Sequence, residues 1–298
     1  MQPHLLIRFI VTACLLSFLA RASLAGDLKE HQTDLRIAAG KDREQVVTLT
    51  CPQDCTPFNA LFVNSRAPAL QGGALLLPDL GNAADTSIVT GPLRLELPGF
   101  GWSTLTIPMP QFSDGHATAS LDTMQTETAA RVAAGLDYLK TLGLRNNAVI
   151  AHGKSAAIAA AAIAKRPALQ DSVNAIINIG FYTAETREKK SEYLGYLEQL
   201  PFNVLDIYSD HGMPETVFDA RLRAKAAQPA GQLKASPQKL PHSAKTLRLA
   251  FRKHGNLRFR QIAFEGTDHR MYERSDDLVK TVRGWLRIYA AGQEIEVQ

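Results

Sequence analysis

The stretch Ala148-Val149-Ile150-Ala151-His152-Gly153-Lys154-Ser155-Ala156-Ala157 decides the fold. Four apolar residues form a short buried strand, one glycine allows a turn that a Cβ would obstruct, and small residues from Ser155 to Lys165 then start a helix that can lie close to the strand. Pro167 ends that helix. Working outward, Gly73-Ala74-Leu75-Leu76-Leu77-Pro78 is another continuous apolar run stopped by a turn former, as expected of a strand buried on both faces. Trp102 to Pro108, Ala175 to Ile179, Phe202 to Tyr208 and Phe259 to Phe264 read as further strands. Gly91 to Leu97, Thr123 to Leu142 (stopped by Gly143) and Asp277 to Tyr289 read as helices. Strands alternating with helices at this spacing imply βαβ units. The expected class is α/β, a mainly parallel sheet with right-handed crossovers that put helices on both faces.

Composition agrees with a packed core. Over 298 residues, 45% are apolar and 21% charged, which excludes extended disorder and a multi-span membrane protein. The formal net charge of +4 is too small for a nucleic-acid partner. Much of that excess lies between Arg221 and Lys253, where Arg223, Lys225, Lys234, Lys239, Lys245, Arg248 and Arg252 occur with no acidic residue among them. A solvated helix and loop is one reading, and contact with a peripheral anionic surface is the other. Aromatic residues are almost absent from the run, unlike single-strand nucleic-acid binders.

Residues 1–25 carry the marks of a secretory signal: His4 and Arg8 in a short polar start, an apolar run from Phe9 to Leu19, and small residues at Ser23 and Ala25. The run is too short to span a bilayer. Cleavage after Ala25 would place the chain in the periplasm or outside the cell. It would also remove Cys14 and leave Cys51 and Cys55, five residues end to end with Pro52 between them, as the pair for a small-loop disulfide. The expected organisation is therefore a signal at 1–25, a polar N-terminal segment at 26–71 with a strand-like alternation at Gln45 to Leu49, and a main domain at 72–298. That domain carries a basic insertion at about 215–255.

A strand, tight turn and helix of small residues has the form of the nucleophile elbow of α/β-hydrolases, in which G-x-S-x-G lifts a serine above the sheet. On that pattern Ala151 takes the first glycine, His152 the variable residue, Gly153 the serine and Ser155 the last glycine. Glycine has no oxygen with which to attack a substrate. The chain order nucleophile, acid, histidine points to Asp210 after the strand Val204 to Tyr208, with Asp206 a weaker candidate inside it, and to His269 before the last helix. Oxyanion donors at such a turn would be the backbone N–H of Lys154 and one from the loop Asp79 to Asn82.

These residues, with the Leu93 to Leu97 segment leading to Gly101-Trp102-Ser103-Thr104-Leu105 and with Asp268-His269 ahead of Gly284-Trp285-Leu286, resemble a family of exported bacterial proteins with an α/β-hydrolase-like fold and no assigned function. The resemblance runs from about Gly72 to Leu286. That family commonly carries glycine in place of serine, and this chain differs from it in having Lys154-Ser155 where a small residue and a second glycine are usual. Gly153 at the nucleophile position points to a non-catalytic envelope protein that binds a small molecule or an envelope component. The alternative is a serine esterase or amidase using a displaced Ser155 with Asp210 and His269. Ser155 also lies in the first helical turn, where its hydroxyl would cap the helix. Direct activation of water by Asp210 and His269 is a third reading. Metal hydrolysis through Asp210, His211 and His269 lacks any H-E-x-x-H spacing, and no nucleotide fingerprint follows the first strand, so neither a metal nor a cofactor is expected.

Overall fold

The computed structural model describes residues 44–51, 55–80, 82, 84, 87–110, 121–182, 187–227 and 259–291. The signal expected at 1–25 and the basic run beyond residue 227 lie outside them. Among the described residues eight strands form one sheet: β1 (Gln45–Leu49), β2 (Phe58–Val63), β3 (Gly72–Leu77), β4 (Trp102–Thr106), β5 (Asn147–His152), β6 (Ala175–Ile179), β7 (Asn203–Ser209) and β8 (Phe259–Phe264). Their order is β1-β2-β4-β3-β5-β6-β7-β8. The pairs β1–β2 and β2–β4 are antiparallel and all the others are parallel.

The polar segment expected before residue 72 supplies β1 and β2, two strands of the same sheet as the rest. Every residue of β2 is buried. Its sequence Phe-Asn-Ala-Leu-Phe-Val is a continuous apolar run broken only by Asn59, whose Oδ1 accepts a hydrogen bond from Thr48 Oγ1 at 2.9 Å across the pair. A Cys51–Cys55 disulfide spans the connection between the two strands.

The helices are α1 (Thr90–Glu96), α2 (Leu121–Thr141), α3 (Lys154–Ala164), α4 (Pro167–Ser172), α5 (Arg187–Glu198), α6 (Pro214–Phe218), α7 (Ala220–Ala226) and α8 (Ser275–Tyr289). Strand residues alternate between two cores, as a sheet covered on both sides requires. Val149 and Ala151 of β5 face one core with α2, α3 and α5, whereas Ala148 and Ile150 face the other with α1 and α8. Residues Ser155 to Ala164 of α3 are all buried. A helix that is apolar all round is a core helix, and alanine is what lets this one pack between the sheet and α2. Between Ile179 and Phe202, a stretch the sequence pattern leaves unassigned, lies α5 with Tyr193 and Leu197 inside the core.

Candidate functional site

The carboxyl ends of β3, β5, β7 and β8 carry Asp79, Gly153, Lys154, Asp210 and His269, and no side-chain hydrogen bond joins Asp210 to His269 among the described residues. Gly153 is the turn between β5 and α3, with φ 61° and ψ −131°. L-residues adopt a positive φ with strain, and glycine takes it freely. The turn is fixed by its own backbone: Gly153 N–H donates to Ile179 O at 2.9 Å, and its carbonyl accepts from Ala156 N–H at 3.2 Å.

The space above Gly153 is occupied by Asp79, the first residue after Pro78 at the end of β3. Its Oδ1 accepts from the backbone N–H of Leu80 at 2.8 Å and of Lys154 at 2.8 Å. These are the two positions expected to supply oxyanion donors, and both face a single carboxylate oxygen from the chain itself. Lys154 is the first residue of α3, and Gly153 gives the helix no side-chain cap. Asp79 takes that role from another loop, with its charge at the end of the helix where the peptide dipoles favour an anion. A Cβ at position 153 would stand 2.2 Å from Asp79 Cγ and 2.3 Å from each carboxylate oxygen. Nothing larger than glycine fits while Asp79 holds this position.

Ser155 is fully buried, and its hydroxyl donates to the carbonyl of Pro78 at 2.6 Å. It therefore neither caps the helix nor faces the elbow; it ties the start of α3 to the end of β3. In this arrangement the oxygen points into the protein and donates to a backbone carbonyl, away from Asp210 and His269.

Asp210 and His269 lie at the ends of neighbouring strand loops, and among the described residues no hydrogen bond joins them. Asp210 Oδ1 accepts from Gly266 N–H at 2.8 Å and lies 3.5 Å from His211 Nδ1. Both Asp210 and His269 are exposed. The contact that His269 makes with the elbow runs through its backbone: its carbonyl accepts from Nε2–H of His152 at 3.3 Å. His152 is buried, and its Nδ1 has no hydrogen-bond partner among the described residues. Burial lowers its pKa, with the charge of Asp79 opposing that shift in part. A neutral imidazole held inside the protein results. Among the described residues no group of three or more His, Cys, Asp and Glu stands where it could hold a metal ion.

Asp206, the weaker acid candidate, is buried within β7 and paired with Arg223 Nε at 2.9 Å. Arg223 thus differs from the solvated reading of the basic run. Its side chain is 1% exposed and also donates to Thr216 O at 2.8 Å. Beside the elbow, an open groove of about 410 Å³ is lined by Ile88, Asp268, Arg270, Tyr272 and Glu273 together with Gly266 and Thr267, but not by Gly153 or Asp79.

Solved structures share this architecture. An esterase from Pyrococcus furiosus superposes with a TM-score of 0.59 at 11% identity, over 86% of this chain and 95% of its own. The esterase domain of a Rhodothermus marinus protein gives 0.55 at 12% identity, over 83% and 99%. A dienelactone hydrolase from Anabaena variabilis gives 0.56 at 12% identity, over 83% and 98%. At these identities the likeness establishes the α/β-hydrolase fold. No match is found among curated proteins. A family model described as "Protein of unknown function (DUF3530)" matches residues 29–130 and 113–246, and the chain belongs to that family.

Proposed function

We propose that this protein is an exported member of the hydrolase fold that works by binding a ligand or partner in the cell envelope and not by covalent catalysis. The observation that carries the proposal is the Asp79 carboxylate, seated on the N–H groups of Leu80 and Lys154 directly over Gly153. An ester or amide carbonyl entering this elbow would meet a negative charge where its own developing charge needs donors, Gly153 carries no oxygen to attack it, and the Ser155 hydroxyl donates to Pro78 O. The buried Ser155 and the separation of Asp210 from His269 support the same reading. The Cys51–Cys55 bond fits an oxidising compartment.

The test is reaction of the purified protein with a fluorophosphonate probe, together with hydrolysis of p-nitrophenyl esters. No labelling and no turnover are expected, whereas labelling abolished by Ser155→Ala would overturn the proposal in favour of an esterase. Export is tested by intact mass of the protein recovered from the periplasm. The expected species starts at Gly26 and has no alkylatable thiol; a mass that includes residues 1–25 would remove the envelope from the proposal.

A further inference from the structure

Helices α6 and α7 leave the end of β7 and turn one face inward. Thr216, Ala220, Arg223 and Ala227, spaced three or four residues apart, are buried. They are tied down from beneath, since Gln261 Nε2 donates both to Asp206 Oδ2 at 2.6 Å and to Ala220 O at 2.8 Å, and Arg223 bridges Asp206 and Thr216. The opposite face is therefore held outward. On it Phe218 is 79% exposed, and Met213 and Leu222 are exposed beside it. Arg221 and Lys225 are also exposed there; of the two carboxylates on these helices and their junction, Glu215 is exposed and Asp219 is paired with Lys190 Nζ at 2.8 Å. Downstream the sequence adds Lys234, Lys239, Lys245, Arg248, Arg252 and Lys253 with no acidic residue.

We infer that this face docks the protein on an anionic phospholipid surface. Two features favour a bilayer over an acidic protein. Phenylalanine, leucine and methionine stand out from the fold, which suits insertion among headgroups, and the flanking cations match the charge of the lipid. The inference does not depend on whether the elbow is catalytic.

Co-sedimentation of the mature protein with phosphatidylcholine vesicles, and with vesicles that also contain phosphatidylglycerol, tests it. Binding is expected only with phosphatidylglycerol and should weaken as salt is raised. Phe218→Ser should lower the partition coefficient roughly tenfold, and Arg221→Gln and Lys225→Gln roughly fivefold each. Ile288→Ser, an exposed apolar position on α8, should change nothing. Equal binding to both vesicles, no binding, or binding unaffected by the Phe218, Arg221 and Lys225 variants would overturn the inference. So would Phe218→Ser lowering the thermal midpoint with vesicle binding intact, since the chain itself would then cover this face. Self-association lost on Phe218→Ser would instead make a second copy the partner.

Discussion

Installing the missing nucleophile by Gly153→Ser should fail to create an esterase and should damage the fold, for a reason that a second substitution can isolate. At φ 61° and ψ −131° any L-residue is strained, at a cost of about 1–3 kcal/mol. The new Cβ would also fall 2.2 Å from Asp79 Cγ, so the carboxylate must leave the N–H groups of Leu80 and Lys154. Breaking two hydrogen bonds to an ionised acceptor in a half-buried site costs about another 2–4 kcal/mol after partial rehydration. The single variant should therefore lose roughly 3–7 kcal/mol, a large share of an ordinary domain's stability. Asp79→Gly alone should lose only about 2–4 kcal/mol, and Gly153→Ser on that background only the strain of about 1–3 kcal/mol. The double variant is thus more stable than the sum of the singles by about 2–4 kcal/mol, a coupling readable from urea unfolding of the four proteins. Strictly additive losses would refute the steric and electrostatic account of this pair. So would ester hydrolysis by Gly153→Ser in the presence of Asp79.

Two further outcomes follow from buried ionisable groups. Arg223→Met strands the carboxylate of Asp206 inside β7 and should cost about 3–5 kcal/mol in urea unfolding, part of which Asp206→Asn on the same chain should restore; a loss below about 1 kcal/mol would mean that water reaches the pair. His152 has its folded pKa lowered, chiefly by burial, so the unfolded chain binds the proton first as the medium is acidified. Its stabilising contribution is complete above about pH 6.5, the unfolded value, and is lost as pH falls from there through the folded value. His152→Gln should flatten the fall in unfolding free energy across this window, and an unchanged slope would place the titration elsewhere.

What could be read from the sequence and what could not divides along the range of the interactions. Apolar runs such as Gly73 to Leu77 and Ala148 to Ala151 specify strands because burial on both faces leaves no polar position, and the small residues after Gly153 specify a close-packed helix. These are local properties. The partnership of Asp79 with Lys154 joins residues 75 apart through two loops, and no periodicity encodes it. A signal for it did exist: an acidic residue one position beyond Pro78 at the end of β3, in the loop expected to offer a donor, combined with a missing side chain at the elbow. Likewise Asp206, a charge inside the apolar strand Val204-Leu205-Asp206-Ile207, required a buried partner, and Arg223 of the basic run was the cation that met it. Chain order placed Asp210 and His269 at adjacent strand ends, yet order does not aim side chains. Asp210 closes the turn at Gly266, and the hydrogen bond between His269 and the elbow is made by its carbonyl. The Asp79–Gly153 pair also accounts for why an elbow without a nucleophile keeps its shape. The first N–H of α3 needs an acceptor, glycine brings none, and Asp79 can supply one only because position 153 has no Cβ. Each residue is therefore tolerable because of the other, and replacing either alone leaves the start of the helix worse served than in the protein as it stands.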